Sequence, residues 1–149
     1  MTVELLDVRT PRAVQFVLAW LVPIGPSPDA FGITRAEGAP LPFRMVNLIY
    51  STDDENEGYS RARVSVHTFA ESVDGVDADT MASREADTTH RRMLYLARYP
   101  STDVQMLDGS LANCEFVETV EEPAWRDYQD NAISRFKAVY DVGLPLVAF

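Results

Sequence analysis

The sequence predicts an α+β fold: a mainly antiparallel four- to five-stranded sheet with two helices packed on one face. Three observations carry that prediction. From Arg61 to Val66 polar and apolar residues alternate, with Ala62, Val64 and Val66 on one side and Arg61, Arg63 and Ser65 on the other, the period of a half-buried strand. Ile133 to Val142 repeats the pattern and sets Phe136, Ala138, Tyr140 and Val142 against Arg135, Lys137 and Asp141. Ala82, Ala86, Thr89, Met93, Leu96 and Ala97 recur at three- and four-residue spacing, which makes one apolar helical stripe to lay on such a sheet.

The remaining elements follow in chain order. Thr10-Pro11 reads as a helix start, an N-cap hydroxyl followed by a proline whose missing N–H is not needed in the first turn. That helix runs to about Leu21, with Ala13, Val14, Val17, Leu18 and Leu21 as its main face and Phe16 and Trp20 on the flank. Such breadth calls for burial on more than one side. Ile24 to Asp29 is a proline-rich connector, expected to be extended and irregular. Phe31 to Ala36 reads as a short edge strand, and Pro40 and Pro42 keep the following stretch out of a helix. Met45 to Ser51 is apolar on both sides, Val46, Leu48 and Tyr50 on one and Met45 and Ile49 on the other, as in a central strand.

Thr52 to Gly58 is the most acidic interval, with Asp53, Asp54, Glu55 and Glu57. Its spacing does not match the twelve-residue calcium loop, so a solvated loop or an acidic surface used in assembly is the expectation rather than a metal site. Phe69 closes the next strand, and Ser72-Val73-Asp74-Gly75 is turn chemistry. A helix then runs from about Asp77 to Tyr99, capped by Asp77 or Asp79 and stopped by Pro100. Its acids come early and Arg91, Arg92 and Arg98 come late, an order that complements the helix dipole. Ser101 to Ala112 reads as loop, Cys114 to Val120 as a strand, and Glu121 to Asn131 as a polar excursion carrying Trp125 and Tyr128. Gly143 and Pro145 are expected to end the last strand before the apolar tail Leu146 to Phe149. With both helices on one side, the second sheet face should be partly apolar and want a partner.

At 149 residues the chain is expected to form one domain, residues 1–149. A net charge of −10 without any basic run argues against specific binding of DNA or RNA. Cys114 is the only cysteine, which excludes an intrachain disulfide and a cysteine metal cluster and fits a reducing compartment. The apolar run Val14 to Val22 is only about half the ~20 residues of a bilayer span. No cleavage-site pattern follows it, so a protein that is soluble and cytosolic when made is expected. His67 on the polar side of a strand and His90 in a helix share no motif spacing, and Cys114 reads as a small buried hydrophobe. No phosphate-binding loop, nucleophile elbow or zinc-helix motif is present. The expectation is a non-enzyme without a cofactor.

A pattern spread over most of the chain completes the reading. It consists of the N-terminal helix, Phe31-Gly32-Ile33-Thr34-Arg35, and the proline-led strand Pro40-Leu41-Pro42-Phe43-Arg44-Met45-Val46. An acidic hairpin leads into Ser60-Arg61-Ala62-Arg63-Val64-Ser65-Val66-His67-Thr68-Phe69-Ala70, and Asn131-Ala132-Ile133-Ser134-Arg135-Phe136-Lys137-Ala138-Val139-Tyr140 closes the chain. In this the chain resembles the tail terminator (tail completion) proteins of phages with long, non-contractile tails. The resemblance implies a structural α+β subunit of the virion, assembled in the host cytoplasm. It implies a homo-oligomer, a hexameric ring, at the head-proximal end of the tail tube. That ring would stop tube polymerisation and join the tube to the head connector or head-closure protein, while DNA passes the lumen without specific binding and no membrane is involved. On this reading Asp53, Asp54, Glu55 and Glu57 face the channel or the tube. Trp125, Tyr128 and the tail ending in Phe149 make subunit or partner contacts. The alternatives are another neck component, such as a head-closure or head–tail joining protein, and a small acidic metal-dependent enzyme.

Overall fold

The alternations of Arg61–Val66 and Ile133–Val142 lie in the two longest strands of one sheet. The computed structural model describes residues 11–146, so the capping role expected of Thr10 and the contacts expected of Phe149 lie outside the described residues. In chain order the elements are α1 (Arg12–Leu21), β1 (Phe31–Gly32), β2 (Phe43–Asp54), β3 (Tyr59–Glu71), α2 (Ala78–Arg98), β4 (Val104–Gln105), β5 (Leu111–Ala112), β6 (Phe116–Arg126) and β7 (Ile133–Pro145). The main sheet has the order β1-β2-β3-β7-β6. β1 runs parallel to β2 and every other neighbouring pair is antiparallel. β4 and β5 form a separate two-stranded hairpin.

Register divides the sheet into two faces. Val46 pairs with Val66, Val64 with Tyr140, and Ala62 with Val142, and all six are buried beneath the helices. α1 buries Val14, Phe16, Val17, Leu18 and Leu21, and α2 buries Ala82, Ala86, Thr89, Met93 and Leu96. Each fully buried Val, Leu, Phe or Met among these contributes roughly 1.5–3 kcal/mol. The helices are joined by a reciprocal clasp. Trp20 Nε1 donates to the Arg92 carbonyl and Arg92 Nε donates to the Trp20 carbonyl, both at 2.9 Å. The Arg92 guanidinium also lies 3.6 Å from the Trp20 ring centre. Two helices therefore cover one face, as the sequence predicts.

The departures from expectation have local causes. Pro11 itself takes the cap position of α1. The proline-rich connector curls into 3-10 turns at Val22–Ile24 and Pro28–Ala30, each started by its own proline. A bulge between Leu48 and Tyr50 moves Tyr50 to the opposite face from Leu48. β1 pairs only with Arg44 and Met45, so β3 is the central strand and β2 has an open outer edge beyond that point. The Ser101 to Ala112 loop holds the β4–β5 hairpin, turned at Gly109 with φ +87°. The glutamates and Pro123 do not end β6, because an edge strand absorbs them through two irregularities facing solvent.

β7 likewise continues through Gly143. A Cβ there would lie 2.2 Å from Phe116 Cε1, so glycine makes room for the ring rather than breaking the strand. That ring meets Tyr59 edge-on, with ring centres 5.2 Å apart, and lies 4.6 Å from the Arg61 guanidinium. Gly143→Ala is expected to cost about 1–3 kcal/mol by displacing Phe116. Urea unfolding checks this: adding Gly143→Ala to Phe116→Ala should cost little more, and fully additive losses would remove the ring from the explanation.

Candidate interaction surfaces

The acidic interval sits at one end of the sheet, on the β2–β3 hairpin. Asp53 and Asp54 close β2, while Glu55 and Glu57 lie in the turn, which Gly58 completes at φ +77°. The Asp54 carboxylate accepts the N–H groups of Asn56 at 3.1 Å and Glu57 at 3.0 Å, a side-chain turn that fixes the tip. The Leu146 N–H donates to the Gly58 carbonyl at 3.0 Å and ties the tip to the end of β7. Asp53 and Glu55 rim a groove of about 430 Å³ floored by Leu48, Ala62 and Leu144. None of the four carboxylates has an ion-pair partner among the described residues. The structure thus gathers Asp53, Asp54, Glu55 and Glu57 at one place.

The face away from the helices is partly apolar, and charged side chains share it with aromatic rings. Guanidinium groups lie over its aromatic rings, Arg61 over Phe116, Arg63 over Tyr50 and Arg35 over Phe69. Near the tip, Asp141 is only 3% exposed and takes three bonds from arginines. Arg63 Nε and Nη2 donate to it at 2.8 and 3.1 Å, and Arg61 Nη1 donates at 2.9 Å. These bonds, Arg63's first, hold its carboxyl below the usual carboxylate range. Arg61 also reaches Glu118 at 3.3 Å, so this half of the face is paired.

The other half is cationic. Phe69 is buried beneath the Arg35 guanidinium, 5.9 Å from the ring centre, and meets the edge of Tyr128 at 4.9 Å. Arg35 Nη1 donates to the Tyr128 hydroxyl at 3.4 Å. Arg135 pairs with Phe69 and Arg126 across the sheet, and Lys137 pairs with His67. Arg135 and Lys137 have no ion-pair partner among the described residues. His67 lies buried in this setting, 3.2 Å from Ser65 Oγ and stacked on Phe69. Burial first, then the charges of Arg135 and Lys137, push its pKa down to about 4.

The other candidates are dispersed. Trp125, on β6, is 51% exposed, whereas Tyr128 is half-buried and already engaged by Phe69 and Arg35. His90 Nδ1 hydrogen-bonds the Tyr140 hydroxyl at 2.8 Å. Cys114 is buried just before β6, and burial raises its thiol to about 11, far from a reactive thiolate. Among the described residues no three His, Cys, Asp or Glu side chains converge into a metal-holding group. Sequence reasoning missed the cationic end of the open face. Its visible signal was the placement of Arg135 and Lys137 on one side of a strand.

No protein-family model matches the chain. No curated protein matches it at a significant level. Among solved structures, a chain from the virion of a native gene transfer agent (GTA) particle is similar at TM-score 0.47 and 14% identity, covering 93% of this chain and 88% of that chain. A likeness this faint bears on neither family nor role.

Proposed function

We propose that this chain is a structural subunit of a phage or phage-like virion and serves there as a tail terminator. Copies form a ring, six-membered by the resemblance in the sequence, on the head-proximal end of the tail tube. The ring ends tube growth and offers its far side to the head connector. The observation that supports this best is the incomplete cover of the sheet. Both helices lie on one face, and the outer edge of β2 beyond Met45 is unpaired among the described residues. The opposite edge, β6, is guarded by Glu118, Glu121, Glu122 and Pro123, which block simple edge-to-edge stacking. Surfaces of unlike kind on one subunit favour head-to-tail contact, and a ring is its closed form.

Negative-stain electron microscopy of the purified protein, alone and mixed with tail tubes of the same phage, tests this reading. Rings, or caps confined to one end of each tube, are expected. A protein that stays solitary in the presence of tubes, or that turns over a substrate, would overturn it. Co-purification with portal rather than with tubes would move it to another neck position.

A further inference from the structure

We propose that the acidic hairpin tip of one copy docks on the cationic end of the open sheet face of the next copy. The inference rests on the assembly reading above and names the surfaces that meet. Asp53, Asp54, Glu55 and Glu57 have no ionic partner within the described residues, and neither have Arg135 and Lys137. Arg35 flanks that cationic pair, as does Arg126, itself 3.9 Å from Glu121, and the charges of the pair bear on His67 from the same side.

Position explains why the two patches do not satisfy each other in one chain. The tip joins β3 at Tyr59, whereas Lys137 and Arg135 pair with His67 and Phe69 near its far end. At about 3.3 Å per residue the patches are roughly 30 Å apart. That is several times the ~8 Å over which charges act at physiological ionic strength. They are also different surfaces, so a contact between them is heterologous and repeats from copy to copy. A chain of net charge −10 repels its copies at long range, which makes a local match of opposite sign the feature that selects one docking geometry. A nucleic acid backbone would meet the same cations, yet the acidic tip and the overall charge oppose its approach.

Charge exchange tests the contact, using the full chain and sedimentation velocity at physiological salt. One variant carries Asp53→Lys, Glu55→Lys and Glu57→Lys, which turns the tip net positive and spares Asp54 for the turn, the other Arg135→Glu and Lys137→Glu. Each alone is expected to weaken self-association by at least about tenfold. Mixed in equal amounts they should assemble again, because reversed tips meet reversed faces and unreversed tips meet unreversed faces. Should the face reversal disturb folding, Arg135→Gln with Lys137→Gln is the substitute, weakened alone and not rescued by the tip variant. If the wild type assembles and both single variants assemble as well, the contact is wrong while the assembly reading stands. Mixing without rescue also removes it. Loss of tube capping by the tip variant with rings intact would assign the tip to the tube. Loss of duplex DNA binding by the face variant with assembly intact would assign the face to phosphates. A wild type that stays solitary with and without tubes sinks both proposals.

Discussion

Acidification from pH 6.5 to about 4 is expected to remove stability through His67, whose folded pKa lies near the bottom of that window. The sign follows from proton uptake. An unfolded histidine binds its proton near pH 6.5, while the buried ring stays neutral until about 4. Between those values the unfolded chain holds more protons, so stability rises with pH and falls as pH drops. The full window corresponds to roughly 3 kcal/mol, and below it the contribution is constant. Charges facing the ring are Arg135 and Lys137 from β7, while its contacts on β3 are Ser65 and Phe69, and Met45 of β2 pairs with it. Asp141 acts lower. Its folded carboxyl is depressed, so its contribution is whole above the ordinary carboxylate pKa of about 3.9 and is lost as pH falls through the folded value. Urea unfolding of wild type and His67→Gln between pH 7.5 and 4 isolates the histidine. The variant's curve should be flatter in this window, and parallel curves would show that His67 takes up its proton alike in the folded and unfolded chain.

Much of the fold was legible because two strands carry strict period two and two helices carry apolar stripes. Ala62, Val64 and Val66 on β3 and Ala138, Tyr140 and Val142 on β7 all turn to the helices, as their alternation requires. Where alternation is absent, prediction weakens. Met45 to Tyr50 is apolar at nearly every position, so nothing in it marks the bulge that turns Tyr50 over. β6 reads as ending near Val120 because Glu121, Glu122 and Pro123 look like a loop, and only an edge position makes them compatible with a strand. Gly143 looks like a strand breaker until the ring of Phe116, distant in sequence, is placed above it.

The candidate surfaces divide in the same way. The acidic tip was visible as composition, since its carboxylates are neighbours in sequence. Arg35, Arg126, Arg135 and Lys137 were not, because only the β3-β7-β6 order and the Phe69–Tyr128 packing bring them together. The same gathering adds charge to a face that was expected to be partly apolar. Phe69 and Phe116 do belong to it, but Arg35 and Arg61 lie over them. An assembly surface needs no fixed motif, so its role is read from charge and cover rather than from spacing.

Glu85→Ala is expected to destabilise the protein by roughly 3 kcal/mol, more than removal of the arginine it faces. Arg44 has no exposed surface, and it reaches from β2 into α2. Its Nε donates to Thr89 Oγ1 at 2.7 Å, and Nη2 donates to Glu85 Oε2 at 2.8 Å and to the Glu85 carbonyl at 3.1 Å. Burial lowers its pKa, and only Glu85 opposes that effect. Loss of the carboxylate therefore leaves a cation in the core with a hydroxyl and a carbonyl for company. Arg44→Met removes the charge and fills much of the same volume, while Glu85, 27% exposed, turns to water. The Thr89 hydroxyl keeps its bond to the Glu85 carbonyl at 3.1 Å. That variant should lose no more than about 1 kcal/mol, and the double variant should match it rather than the glutamate deletion. Urea midpoints of the three variants decide the matter. Equal losses in the two single variants would mean that mutual attraction, not the cost of a stranded charge, governs how α2 is held to β2.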